Sequence, residues 1–218
     1  MAAGDLGATN LFSLGAGFNV QSSSTTANRD ITEVLGANGD IQCQTPFNSV
    51  TTATAEYEVC GAVSLALSLG GTVGGLIIRA VELSHSAGQA PRVTVEGISF
   101  PGATVTNRTY AISQAVDIAA VAGLITGGLD ANAEATEITH RWECEITQSM
   151  GSDGQVAFAV SRTPKYTYSE SGIGTFTGTP AITTPAGMVL ESFENSDSNQ
   201  ETDTYTASFV NKLVSVGA

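Results

Sequence analysis

Positive charge, histidine and cysteine are all in short supply in this chain. Eight Lys+Arg stand against 21 Asp+Glu over 218 residues, a formal net charge of −13. Nucleic-acid phosphates are held chiefly by cations, so this balance argues against a DNA- or RNA-binding module. Anionic membrane surfaces are disfavoured for the same reason. Charges of both signs together make up only 13% of the residues, about half the usual share of a soluble domain. Two histidines and three cysteines leave little material for acid–base catalysis or a metal site. Cys43, Cys60 and Cys144 form no C-x-x-C pair and match no zinc spacing. They read as buried free thiols of a reducing cytoplasm. No run of 18 apolar residues occurs, and the most apolar stretch, residues 115–129, is interrupted by Asp117. The start, Met-Ala-Ala-Gly-Asp, lacks the basic and apolar parts of a signal peptide. The expectation is cytoplasmic synthesis with no membrane anchor.

Catalytic patterns are missing too. There is no G-x-S-x-G elbow and no H-E-x-x-H, and the glycine-rich piece at residues 69–75 lacks the following Lys of a phosphate cradle. Asn107-Arg108-Thr109 matches a glycosylation pattern by chance. These absences point away from an enzyme and from any cofactor, and towards a structural or binding protein.

What is plentiful is Thr, Ser, Ala and Gly, the composition of strands joined by many turns. From Ile138 to Thr147, Ile138, His140, Trp142, Cys144 and Ile146 share one face. Arg141, Glu143 and Glu145 share the other, which marks a half-buried antiparallel strand. A turn at 150–154 and a return strand at 155–161 make it a hairpin. A second hairpin joins 31–35 to 41–44 through Gly36-Ala37-Asn38-Gly39-Asp40, whose Asn-Gly pair suits positive φ. A third joins 188–193 to 202–210. With candidates at 54–60, 76–83 and 92–98, about ten strands are expected. Apolar positions three and four apart over 109–124 predict one amphipathic helix. Residues 21–26 and 70–75 read as loops, and 175–187 as a long connection. The fold class predicted is mainly β: two packed antiparallel sheets, a sandwich or partly closed barrel, with one flanking helix near 110–124 and long hairpins. One domain spans 1–218, with excursions near 21–44 and 61–75.

Few residues invite a chemical role. His140 suits a core histidine beside Trp142, and His85 a solvated loop. Glu143 and Glu145 lie about 7 Å apart along one strand, within the range of a glycosidase pair, but a solvated acidic face explains them more simply. Glu191, Glu194, Asp197, Glu201 and Asp203 gather round the last hairpin without the glycine of a calcium loop. Tyr166 and Tyr168 are the one aromatic pair suited to stacking on sugars. Low charge, long hairpins and many exposed β-branched residues suit a subunit that pairs strands with its neighbours.

The layout of hairpins at 31–41, 138–160 and 188–210 resembles that of bacteriophage tail tube subunits and the related tubes of contractile injection systems. The resemblance is one of pattern over most of the chain and rests on no invariant motif. It implies two packed sheets and a helix, hexameric rings whose inner sheets close into one barrel, and rings stacked into a tube in the virion tail. Partners would be copies of the chain and other tail proteins, and DNA would pass without specific binding along an acidic wall. Glu143 and Glu145, with Arg141 beside them, would face the lumen. Asn38, Gly39, Gly71, Gly74, Asp153 and Asp197 would mark inter-subunit tips. A capsid decoration protein and a receptor-binding β-sandwich of a tail fibre are the alternative readings.

Overall fold

Alternation of polar and apolar side chains becomes strand wherever a partner strand can cover the apolar row. The computed structural model describes residues 8–106, 108–116, 133–174, 188–196 and 203–212. Among these residues there are twelve strands and no helix. They are β1 (Phe18–Leu35), β2 (Ile41–Val59), β3 (Val63–Leu69), β4 (Thr72–Val73), β5 (Leu76–Ser86) and β6 (Arg92–Ser99). The second half adds β7 (Thr104–Thr106), β8 (Tyr110–Val116), β9 (Ala133–Met150), β10 (Val156–Gly174), β11 (Val189–Ser196) and β12 (Thr204–Lys212). The large sheet runs β1-β2-β6-β5-β9-β10-β12-β11, with β4 added on β5 and β7 on β10. Every pair is antiparallel except β7 with β10. The path has two ends, so the sheet is open and not closed into a barrel. β3 and β8 form a separate two-stranded sheet.

That small sheet packs on the large one. Leu65 and Leu69 of β3 and Tyr110 and Ile112 of β8 join Tyr57, Val59, Val81, Val93, Val95 and Trp142 in one buried cluster. The segment before β1 completes it: Phe12 and Leu14 are buried in the same cluster. The Tyr57 hydroxyl donates to Asn10 Oδ1 at 3.0 Å and accepts from the Phe12 amide at 3.3 Å. Gly97 of β6 lies directly under Phe12. A Cβ there would sit 2.7 Å from Phe12 Cε1 and 3.1 Å from Leu76 Cβ. Gly97→Ala should therefore lower stability by about 1–3 kcal/mol through overpacking, read as an earlier midpoint in urea unfolding.

The helix predicted near 110–124 is overturned in the part described. Tyr110–Val116 is β8, paired with β3 from Leu69↔Tyr110 to Val63↔Val116; residues 117–124 lie outside the described residues. The same apolar positions satisfy period two as well as period 3.6. The decision fell to β3, whose Leu65 and Leu69 alternate in step and offer a ladder of hydrogen bonds that a helix could not use. Residues 21–26, expected as a loop, lie inside β1 opposite β2. Residues 70–75 do form turns, with β4 between them. Cysteine burial also differs: all three thiols are free, but Cys43 and Cys60 are exposed and only Cys144 is buried. Burial pushes the Cys144 thiol up to about 11.

Candidate functional site

One of the two longest strand pairs leaves its far end exposed. β1 and β2 stay paired from Phe18↔Val59 to Leu35↔Ile41. β2 has β6 on its other side only from Thr51 to Glu58. Beyond Thr51 the two strands leave β6, and past the root at residues 46–50 they continue as a bare ribbon. The bare part, residues 41–45 on the β2 side, corresponds to about 17 Å of extended chain. The ribbon ends in the Asn38-Gly39 turn, where Gly36 N–H donates to Asp40 O at 2.7 Å and Gly39 holds φ +83. Towards this tip lie four large apolar side chains in the open: Ile31 (55% exposed), Val34 (53%), Leu35 (60%) and Ile41 (52%). Among the described residues β1 also has a strand partner on one side only, the position of an edge strand. At the other end of the described sheet β11 carries Val189 and Leu190 exposed.

The polar face of the large sheet carries the residues proposed for a lumen wall. Cross-strand register sets Glu82 beside Arg141, and Glu143 beside both Ala80 and Lys165. The Arg141 guanidinium reaches Glu82 at 2.8 Å, Glu143 at 3.1 Å and Glu96 at 3.8 Å. Partial burial works against its charge, but the bonds to Glu82 and Glu143 outweigh that and hold its pKa above the ordinary value. Arg79 pairs with Glu96 at 2.7 Å and Arg92 with Glu56 at 2.6 Å. Such half-exposed pairs contribute little stability, below about 1 kcal/mol each. Their effect is electrostatic: the middle of this face is a mosaic of both signs. Glu143 is compensated, whereas Glu145 is exposed and enters no ion pair among the described residues. Arg79, Glu96, Arg141, Glu143, Glu145 and Lys165 rim a groove of about 530 Å³.

The other expected tips are scattered. Gly71 and Gly74 flank β4 against the body, where the Ile78 N–H donates to Gly71 O at 2.9 Å. Asp153 caps the β9–β10 turn, its Oδ1 accepting the Gln155 N–H at 3.1 Å. Asp197 lies outside the described residues. Among the described residues no group of three His, Cys, Asp or Glu could hold a metal ion. Sequence reasoning missed Glu170, which is 1% exposed. Its signal was visible: it continues the inward row of Tyr166 and Tyr168, where an acid is out of place.

That row is an aromatic stack. His140, Trp142 and Tyr166 lie nearly parallel, with centroids 5.7, 6.1 and 5.1 Å apart pair by pair. His140 Nδ1 and the Tyr166 hydroxyl are 2.8 Å apart. Tyr166 and Tyr168, the pair suited to stacking on sugars, are thus half-buried strand residues, and His85, expected in a solvated loop, lies in β5 opposite Ile138. Burial, with His85 nearby, pushes His140 down to about 4. The unfolded chain takes up that proton near the ordinary 6.5. The resulting stability is fully present above pH 6.5 and falls as the pH drops from 6.5 towards 4. His85, also lowered by burial, adds in the same direction. His140→Phe keeps the ring and removes the proton site, so urea midpoints should depend less on pH over that window; an unchanged slope would assign the acid limb to other groups.

A scan against protein-family models finds no match for this chain, and a search of the curated proteins finds none either.

Proposed function

We propose that this chain is a structural subunit that polymerises with copies of itself into stacked rings, the arrangement of a bacteriophage tail tube. The observation that carries the reading is the bare β1–β2 ribbon with Ile31, Val34, Leu35 and Ile41 in solvent near its tip. Ile31, Leu35 and its cross-strand partner Ile41 share one ribbon face and Val34 lies on the other, and large apolar side chains in the open on a projecting ribbon mark an interaction site. Among the described residues β1 also has a strand partner on one side only, and a neighbour's strand satisfies an open margin by continuing the ladder. A closed ring of such joints removes every free edge at once.

On this reading the bore is lined by the polar sheet face, and DNA passes because no net cationic surface holds it. Glu145 is then the residue that bears most directly on the wall, since Glu143 is tied to Arg141. The chain would reside in the virion tail beside other tail proteins. Light scattering and negative-stain microscopy over a concentration series test the proposal. Rings or cylinders with an open centre support it, and a single-copy particle at every concentration overturns it.

A further inference from the structure

We propose that the turn between β9 and β10, residues 151–155, is a clamp that sets the direction in which the β1–β2 ribbon leaves the sheet, with Gln155 as its positioning residue; the functional meaning of the clamp rests on reading the ribbon as an assembly arm. The ribbon departs at a bulge. Asn28 pairs with Val50 and Asp30 with Phe47, so Arg29 alone faces both Asn48 and Ser49. A bulge of this kind bends its strand and releases backbone groups from the ladder. Here the freed amides turn to the clamp. Asn48 N–H donates to Gly154 O at 2.8 Å, and Ser49 N–H to Gln155 Oε1 at 3.2 Å.

Gln155 then closes the grip from its other end, its Nε2 donating to Pro46 O at 3.0 Å. One amide side chain thereby spans both sides of the bulge. Two further features fix the joint. Asn48 holds a left-handed φ of 50°, unusual for a residue with a side chain. Its Nδ2 donates to Asp30 Oδ2 at 3.0 Å, tying the two strands together across the bulge. Gly154 holds φ +74, and Phe47 Cβ lies 3.0 Å from where a Gly154 Cβ would sit, so the turn and the ribbon root meet closely. The turn itself is preset by Gly151 N–H to Gln155 O at 2.7 Å and by the Asp153 cap. The bond partners lie more than 100 residues apart in sequence, so the ribbon's angle is set by the rest of the fold and not by its own hairpin.

The test measures the arm on monomers, at dilution, so that it does not depend on assembly. Spin labels are placed at Cys43 near the ribbon tip and at Gln89→Cys on the β5–β6 turn, in a Cys60→Ser background. The unmodified clamp should give one narrow distance distribution. Gln155→Ala should broaden it roughly twofold, and should speed hydrogen exchange at the Asn48 and Ser49 amides by about tenfold or more, with the melting temperature of the body unchanged. Gln155→Glu keeps the acceptor and loses the donor, so it should fall between the two. A distribution of unchanged width and unchanged exchange in Gln155→Ala would overturn the clamp. Absence of rings from the unmodified chain would overturn the assembly function and leave this result readable on its own.

Discussion

Replacing Ile31, Val34, Leu35 and Ile41 together by Thr should abolish self-assembly and leave the monomer as stable as before. Each side chain is more than half exposed, so folding gains little from it and loses little without it. An interface that covered them would gain about 2 kcal/mol from each large apolar group. Even half of that total corresponds to a roughly thousandfold weaker association. Thr keeps the β preference of the strands, and the Asn38-Gly39 turn is untouched. The measurement is the concentration at which light scattering first rises, beside a urea melt. Wild-type association by the quadruple variant would remove the ribbon from the interface; a matching fall in stability would show that the four residues belong to the monomer's own packing.

The second large effect concerns Glu170. Its carboxylate is buried and accepts hydrogen bonds from the Tyr168 and Tyr205 hydroxyls, each at 2.5 Å. Both phenols are held above their ordinary 10.0, first by burial and then by this carboxylate. Glu170→Ala removes the acceptor of both hydroxyls and opens a cavity, so the expected cost is about 2–5 kcal/mol. Glu170→Gln keeps the shape and an acceptor and should cost markedly less. Unfolding midpoints in urea decide the matter. Equal midpoints for Glu170→Ala and the parent would mean that the two tyrosines find other partners. The same linkage makes the fold sensitive to alkali. A tyrosine raised in the native state favours its neutral form, so its contribution is present below the unfolded value of 10.0 and declines as the pH rises beyond it.

These two predictions fall on opposite sides of what could be read from residue order. The three hairpins were legible because alternation and turn chemistry are local. Asn38-Gly39 announces its turn, and the row Ile138, His140, Trp142, Cys144 announces its inward face, which the structure places beside Val81 and Leu83 of β5. The exposed ribbon tip was legible only as a strand. That Ile31 and Leu35 stay exposed depends on β6 stopping at Ser99 opposite Thr51, a fact about another element.

The amino-acid order by itself determined that the chain is mainly β, short of cations and built on long antiparallel hairpins. Period two and Asn-Gly turns act between neighbouring residues and need no tertiary partner to be recognised. Only the tertiary structure decided that residues 110–116 form a strand, because their spacing fits both periods until β3 lies alongside. It alone tied Arg141 to Glu82, Glu96 and Glu143, and joined the ribbon root to Gln155. Those contacts depend on which strands become neighbours, and strand order is set by how the whole apolar surface can be covered at once.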